Sequence, residues 1–206
     1  MKYREILLNQ LKLQPYFDKR AISQLSEQFN LKSTTIDSYI SRSLKCKDIF
    51  QLKKGLYIPA DFYFKNKDNT SYLFFLANII RKPSYVSSWT ALQYYNLVTE
   101  AIHTIISVTP KVTRNQKTKI GAFSYQSIKE DLFSGFSLEK DKFEFFIATP
   151  AKALFDLLYF KTRQFRGLKF KDIHLLIKEL RIDIEEMDKA ELEKFYLMIK
   201  DYLEYE

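Results

Sequence analysis

Residues 33–59, STTIDSYISRSLKCKDIFQLKKGLYIP, run from a short amphipathic helix into a basic hairpin, and their reading decides how the first part of the chain folds. At about 100° per residue, Ile36, Ile40 and Leu44 fall in one stripe, while Thr34, Thr35, Ser38, Ser41, Arg42 and Lys45 gather on the opposite side. One face packs inward and the hydroxyl and basic face is left free. Thr34 and Asp37 match the Ser/Thr-x-x-acid pattern of a capped helix start, which places that start near Ser33 or Thr34. Beyond the helix, Lys47 leads into two short strands that turn at Lys53-Lys54-Gly55, where glycine supplies the positive φ of a tight turn.

Upstream, Ala21, Ile22, Leu25 and Phe29 recur at helical spacing, Asp18 is placed to cap that segment, and residues 29–32 form a connection of helix-turn-helix length. Tyr3, Ile6, Leu7 and Leu11 mark a third helix. Three helices of this size bury a core only by crossing, and Phe50, Leu52, Leu56 and Ile58 of the hairpin are expected to close its open side. The reading is a winged helix-turn-helix over residues 1–64. Such a unit suits nucleic acid: a helix enters the major groove, hydroxyls and arginine address base edges, and lysines neutralise phosphates. The candidate contacts are Ser33, Thr34, Thr35, Ser38, Ser41, Arg42, Lys45, Lys47, Lys53 and Lys54.

The charge balance agrees. The 206 residues carry a net +8, distributed as +6 over residues 1–60, +7 over 61–170 and −5 over 171–206. A basic body points to a polyanion and an acidic end to something else. The lone Cys46 allows no intrachain disulfide and calls for no oxidising compartment. The start lacks the apolar run of a signal peptide, and residues 72–80, YLFFLANII, fall far short of the roughly 20 apolar residues a bilayer requires. A cytoplasmic protein without membrane contact is expected.

Residues 61–70, DFYFKNKDNT, read as a linker with a boundary near 65–69, opening a second domain over 70–206. There, residues 87–96 have helical spacing with Ser87 or Ser88 as cap. Segments 103–108, 119–125, 133–138 and 142–147 read as strands, and Thr149-Pro150 opens a helix as cap and first residue. Helices over 171–180 and 189–205 follow. The expected fold class is α+β, a winged helix-turn-helix followed by an antiparallel sheet covered by helices. A second basic run, KVTRNQKTK at 111–119, adds Arg114, Lys117 and Lys119 to the candidate contacts, beside Lys111.

In order and spacing, the KKGLYIP ending of the first unit, YVSSWTALQYYNLVTE at 85–100, SVTP followed by Arg114, and ATPAKALFDLLYF at 148–160 resemble the AbiEi-type antitoxins of type IV toxin-antitoxin systems. The resemblance reaches to about Phe160, and the 148–156 stretch is its most distinctive piece. It departs at Tyr95-Asn96-Leu97, where members often end this helix with His-Gly-Leu. It implies a bacterial transcriptional autorepressor, acting on operator DNA of repeated half-sites as a monomer or weak dimer, and opposing a nucleotidyltransferase toxin.

Catalytic patterns are thin. The sequence holds no Cys pair, no His-x-x-x-His, no Asp-x-Asp and no Gly-x-Ser-x-Gly, and its four glycines, at 55, 121, 135 and 167, form no phosphate-cradling loop. His103 and His174 read as surface or hydrogen-bonded histidines. No enzyme, cofactor or metal is expected. The alternatives are a nuclease-like enzyme using Asp141, Glu144 and Lys152, with the winged helix as its targeting module, or a stand-alone DNA- or RNA-binding regulator. Lys152 and Asp156, at i and i+4, read as an ion pair worth a few tenths of a kcal/mol if exposed. Tyr94, Tyr95 and Trp89 read as core, with a protein interface as their other use.

Overall fold

The computed structural model describes residues 2–100 and 102–204. Two compact units result: one runs to Tyr72 and includes Gln116–Gly121, and the other comprises Leu73–Asn115 and Ala122–Glu206.

In the first unit, α1 (Lys2–Leu11), a two-residue β1 (Phe17–Asp18), α2 (Lys19–Glu27) and α3 (Ser33–Lys45) precede a hairpin of β2 (Ile49–Lys53) and β3 (Leu56–Pro59). Asp18 caps α2 as its sequence position implies, its Oδ1 accepting from the Ala21 N–H at 2.8 Å. The strands form an antiparallel sheet in the order β1-β3-β2. Leu11, Phe17, Ile22, Ile36, Ile40, Ile49 and Tyr57 make the core beneath the helices. That corrects the expected face of the hairpin. Cross-strand partners share a face, and the register pairs Phe50 with Ile58 and Gln51 with Tyr57. Ile49 and Tyr57 therefore meet the helices, and Phe50 and Ile58 face the other way.

The opposite face is also buried, and the expected linker explains how. Residues 61–66 lie within α4 (Ala60–Asn66), not in a loop. The Tyr63 and Phe64 rings stand edge-on to Phe50 at 5.5 and 5.8 Å. An aromatic segment beside an uncovered apolar sheet face gains more by packing than by remaining solvated.

In the second unit, α5 (Thr70–Ile80) leads to β4 (Tyr85–Val86), α6 (Ser88–Tyr94) and β5 (Thr104–Thr109). A hairpin of β6 (Arg114–Thr118) and β7 (Gly121–Ser127) follows, then β8 (Phe136–Glu139), β9 (Phe145–Ala148), α7 (Pro150–Lys161), α8 (Phe170–Glu179) and α9 (Lys189–Glu204). Tyr205, the expected last residue of the final helix, lies outside the described residues.

The α+β class holds, but the second sheet is mixed and not antiparallel. Its order is β6-β7-β5-β4-β9-β8; β4 runs antiparallel to β5 and parallel to β9, and β5 runs parallel to β7. The expected strands omit β4, which is two residues long, and β6, which lies within the basic run 111–119. Inserting β6 at the edge returns β7 alongside β5 in the same direction.

Thr149 and Pro150 open α7 as expected, with Thr149 Oγ1 accepting from the Lys152 N–H at 3.4 Å. Asn96 sits after α6 at φ +59, with the Leu97 N–H donating to the Leu92 carbonyl at 2.9 Å and the Asn96 N–H to the Gln93 carbonyl at 3.0 Å. This helix-ending turn demands a left-handed residue, normally glycine, and asparagine tolerates it better than most.

Candidate nucleic-acid interface

The free face of α3 is as the periodicity predicts. Ile36 and Ile40 are buried, Leu44 is half-buried, and Ser33, Thr34, Ser38, Ser41, Arg42 and Lys45 are exposed, with Thr35 half-buried. The expected capping box is absent: Lys32 occupies the cap position and no side chain bonds there. Thr34 lies already inside the first turn, where its carbonyl accepts from Ser38 Oγ at 2.9 Å, and Asp37 pairs instead with the Lys19 ammonium. That pairing offsets the one acid on this face.

The helix ends tightly. The Asp48 N–H donates to the Ser43 carbonyl at 2.9 Å and the Lys47 N–H to the Leu44 carbonyl at 3.3 Å, which puts Lys47 at φ +60. A non-glycine residue holds a left-handed conformation there at a cost. Lys47 is exposed, as are Lys53 and Lys54 at the hairpin turn, where Gly55 has φ +79. Cys46, also exposed, has its Sγ 3.8 Å from the Arg4 guanidinium.

Arg114, Lys117 and Lys119 are exposed as well, the first two on β6 and Lys119 in the turn that follows it. Lys117 and Lys119 belong to the same compact unit as α3 and the β2–β3 hairpin, whereas Arg114 belongs to the other. The residue that sequence reasoning missed is Gln116, whose side-chain amide donates to the Leu52 carbonyl at 3.0 Å. The polar run KVTRNQKTK shows no apolar alternation that would have singled it out; Gly121 after Lys119-Ile120 was the available sign of a two-residue hairpin turn.

The motif residues of the second unit converge, but on a buried network. Lys152 Nζ lies 2.8 Å from Asp156 Oδ1, with side chains 3% and 0% exposed. Asp156 Oδ2 accepts from Ser87 Oγ at 2.7 Å and from Tyr85 OH at 3.0 Å. Burial pushes the Asp156 carboxyl upward, while Lys152, Ser87 and Tyr85 work against the push. Burial next to that carboxylate also drives the Tyr85 phenol far above its usual range. Ser87 is the residue before α6, as the sequence suggested, yet its hydroxyl serves Asp156 and makes no cap bond. The Lys152 ammonium also sits over the Phe155 ring at 4.8 Å. The ion pair expected from the i, i+4 spacing forms, and it is fully buried.

The three residues weighed for a nuclease are not brought together. Lys152 is committed to Asp156, Asp141 is exposed beyond β8, and Glu144 lines a cleft of about 780 Å³ walled largely by Phe75, Phe133, Phe136, Leu138 and Phe146. Among the described residues no group of three or more His, Cys, Asp or Glu side chains converges as metal ligands do. His103 is exposed, and His174, also exposed, has its Nδ1 3.2 Å from Tyr196 OH. Trp89 and Tyr95 are half-buried, Tyr95 OH donating to the Ala148 carbonyl at 3.0 Å, and Tyr94 is 39% exposed. Among the described residues no helix is long and apolar enough to cross a membrane. Comparison with known proteins finds no family model that matches the chain and no match among the curated proteins.

Proposed function

We propose that the chain is a sequence-specific, double-stranded-DNA-binding transcriptional autorepressor built on a winged helix-turn-helix, and that it serves as the antitoxin of an AbiEi-type toxin-antitoxin pair. The observation that carries the first half is the order α1, β1, α2, α3, β2, β3, in which β1 closes on β3 and the exposed hydroxyl and basic face of α3 is followed by the Lys53-Lys54-Gly55 turn. In this reading α3 lies in the major groove, Arg42 and the hydroxyls of Ser38 and Ser41 meet base edges, and Lys53 and Lys54 lie along the backbone as the wing. The protein then works in the cytoplasm on repeated half-sites, as a monomer or weak dimer.

The antitoxin half rests on the resemblance of the 85–160 segments. The burial of Tyr85, Ser87, Lys152 and Asp156 supports taking those segments as determinants of the fold and not as an active centre. Co-expression of this gene with its immediate neighbour, each alone as control, tests the role: growth arrest by the neighbour that this chain relieves is expected. Arrest that persists, or no arrest from the neighbour, contradicts the antitoxin assignment. Repression of a reporter fused to the chain's own upstream region tests the other half independently.

A further inference from the structure

The tip of the β6–β7 hairpin comes from the middle of the chain, yet residues Gln116–Gly121 fall in the first compact unit. The Gln116 amide donates to the carbonyl of Leu52, a buried residue of β2 directly before Lys53. Lys117 directly follows Gln116, so the chain neighbours of the two bonded residues are both lysines. Alternation along β6 puts Gln116 and Lys117 on opposite faces: one side chain seats the tip while the next stays in solvent. Gln116 is accordingly half-buried, and Lys117 and Lys119 are exposed. The turn is braced from within, Thr118 Oγ1 donating to the Gly121 carbonyl at 2.9 Å and the Ile120 N–H to Thr118 Oγ1 at 3.1 Å. Neither Lys117 nor Lys119 has an ion-pair partner among the described residues.

We infer that this tip is a third DNA-contacting element: Lys117 and Lys119 bind backbone phosphates of the duplex that α3 and the wing engage, and Gln116 is the positioning residue that holds them there. The inference rests on the winged-helix reading above. Exposed lysines at a hairpin tip act as mobile point charges suited to phosphates, and carry none of the planar donor geometry that reads a base. The tip thus adds affinity without sequence preference.

Salt dependence tests this. Each neutralised phosphate contributes about 0.9 to the slope of log K against log salt, so K117Q/K119Q should make the slope shallower by about 1.8 while leaving the ratio of operator to unrelated duplex unchanged. Gln116→Leu removes no charge, and should shift the slope the same way by a smaller amount. A generic loss of stability lowers the active fraction without changing the slope, which distinguishes positioning from folding. If Q116L fails to fold, K117Q/K119Q alters only exposed side chains and still decides the matter.

The measurement is fluorescence anisotropy of the full chain on a duplex from its own upstream region, across a salt series. Unrelated duplex and structured RNA serve as competitors, and K53Q/K54Q is run in parallel. An unchanged slope in K117Q/K119Q beside a shallower one in K53Q/K54Q overturns the tip and leaves the winged helix standing. No duplex binding by the unaltered chain, or preference for structured RNA, overturns the functional reading and the tip together.

Discussion

Replacing Asp156 by alanine should cost the second unit about 3–5 kcal/mol, the usual penalty for removing one partner of a buried ion pair. The structure shows where the cost arises. Lys152 Nζ loses the carboxylate 2.8 Å away while its side chain remains 3% exposed, with Gly135 and Phe155 beside it. Tyr85 OH and Ser87 Oγ lose their common acceptor, and each buried hydroxyl left unsatisfied costs about 1–3 kcal/mol. These penalties do not sum, because the ammonium and the two hydroxyls belong to one hydrogen-bonded network around a single carboxylate. The double variant K152M/D156N removes both charges and keeps an oxygen for Tyr85 and Ser87, so it should return to within about 2 kcal/mol of the wild type. The single tryptophan, Trp89, lies in α6. Its fluorescence during urea unfolding therefore reports on the second unit alone. With a slope of about 2 kcal/mol per molar urea, D156A should lower the midpoint by roughly 1.5–2.5 M. A shift below about 0.5 M, or a double variant as unstable as D156A, refutes the network as the anchor of this unit.

Gly135 has φ +72, and a Cβ there would stand 3.1 Å from the Lys152 side chain, so G135A should lower the Trp89-detected midpoint by an amount equivalent to about 1–3 kcal/mol. Lys47, at φ +60 after α3, should gain about 0.5–1 kcal/mol on change to glycine; slower hydrogen exchange in α3 would register it, and faster exchange would contradict it. Glu191 Oε2 accepts from the Ala151 N–H at 3.1 Å in the first turn of α7. Burial raises its carboxyl, but hydrogen bonds from Lys194, Ala151 and Thr149 outweigh that and hold it below the usual range. Its contribution is therefore present above the unfolded carboxyl pKa and lost as pH falls through the lower folded value. E191Q should be less stable than the wild type near neutrality, with the gap closing on acidification; a constant gap refutes the linkage.

What was legible in the sequence is what repeats or caps. The stripe Ile36, Ile40, Leu44 located α3, Asp18 and Thr149-Pro150 marked two helix starts, and Lys54-Gly55 marked the hairpin turn. Each signal is local, set by one helical period or one hydrogen bond. The Thr34–Asp37 box failed because a competing charge, Lys19, took the carboxylate, and spacing along the chain does not reveal a partner from another helix. The face of the β2–β3 hairpin was misassigned because Ile49, Phe50, Leu52, Leu56, Tyr57 and Ile58 are all apolar, so a doubly buried sheet shows no alternation to choose between faces. Strands β1 and β4 are two residues long and carry no period. Of the candidate interface, the exposed polar face of α3 and the β2–β3 turn were readable from residue type. Gln116 was not, since its role comes from a contact across 64 positions of chain.

Arg42 tests the central claim most directly, because α3 is assigned the reading of bases and the hairpin the holding of phosphates. Equilibrium binding of the full chain to its own upstream duplex and to an unrelated duplex should show R42A weakening the first by about 1–3 kcal/mol with little change in the second, whereas K53Q/K54Q weakens both alike. Equal loss on both duplexes from R42A, or no loss on either, would contradict the assignment of α3 as the recognition helix.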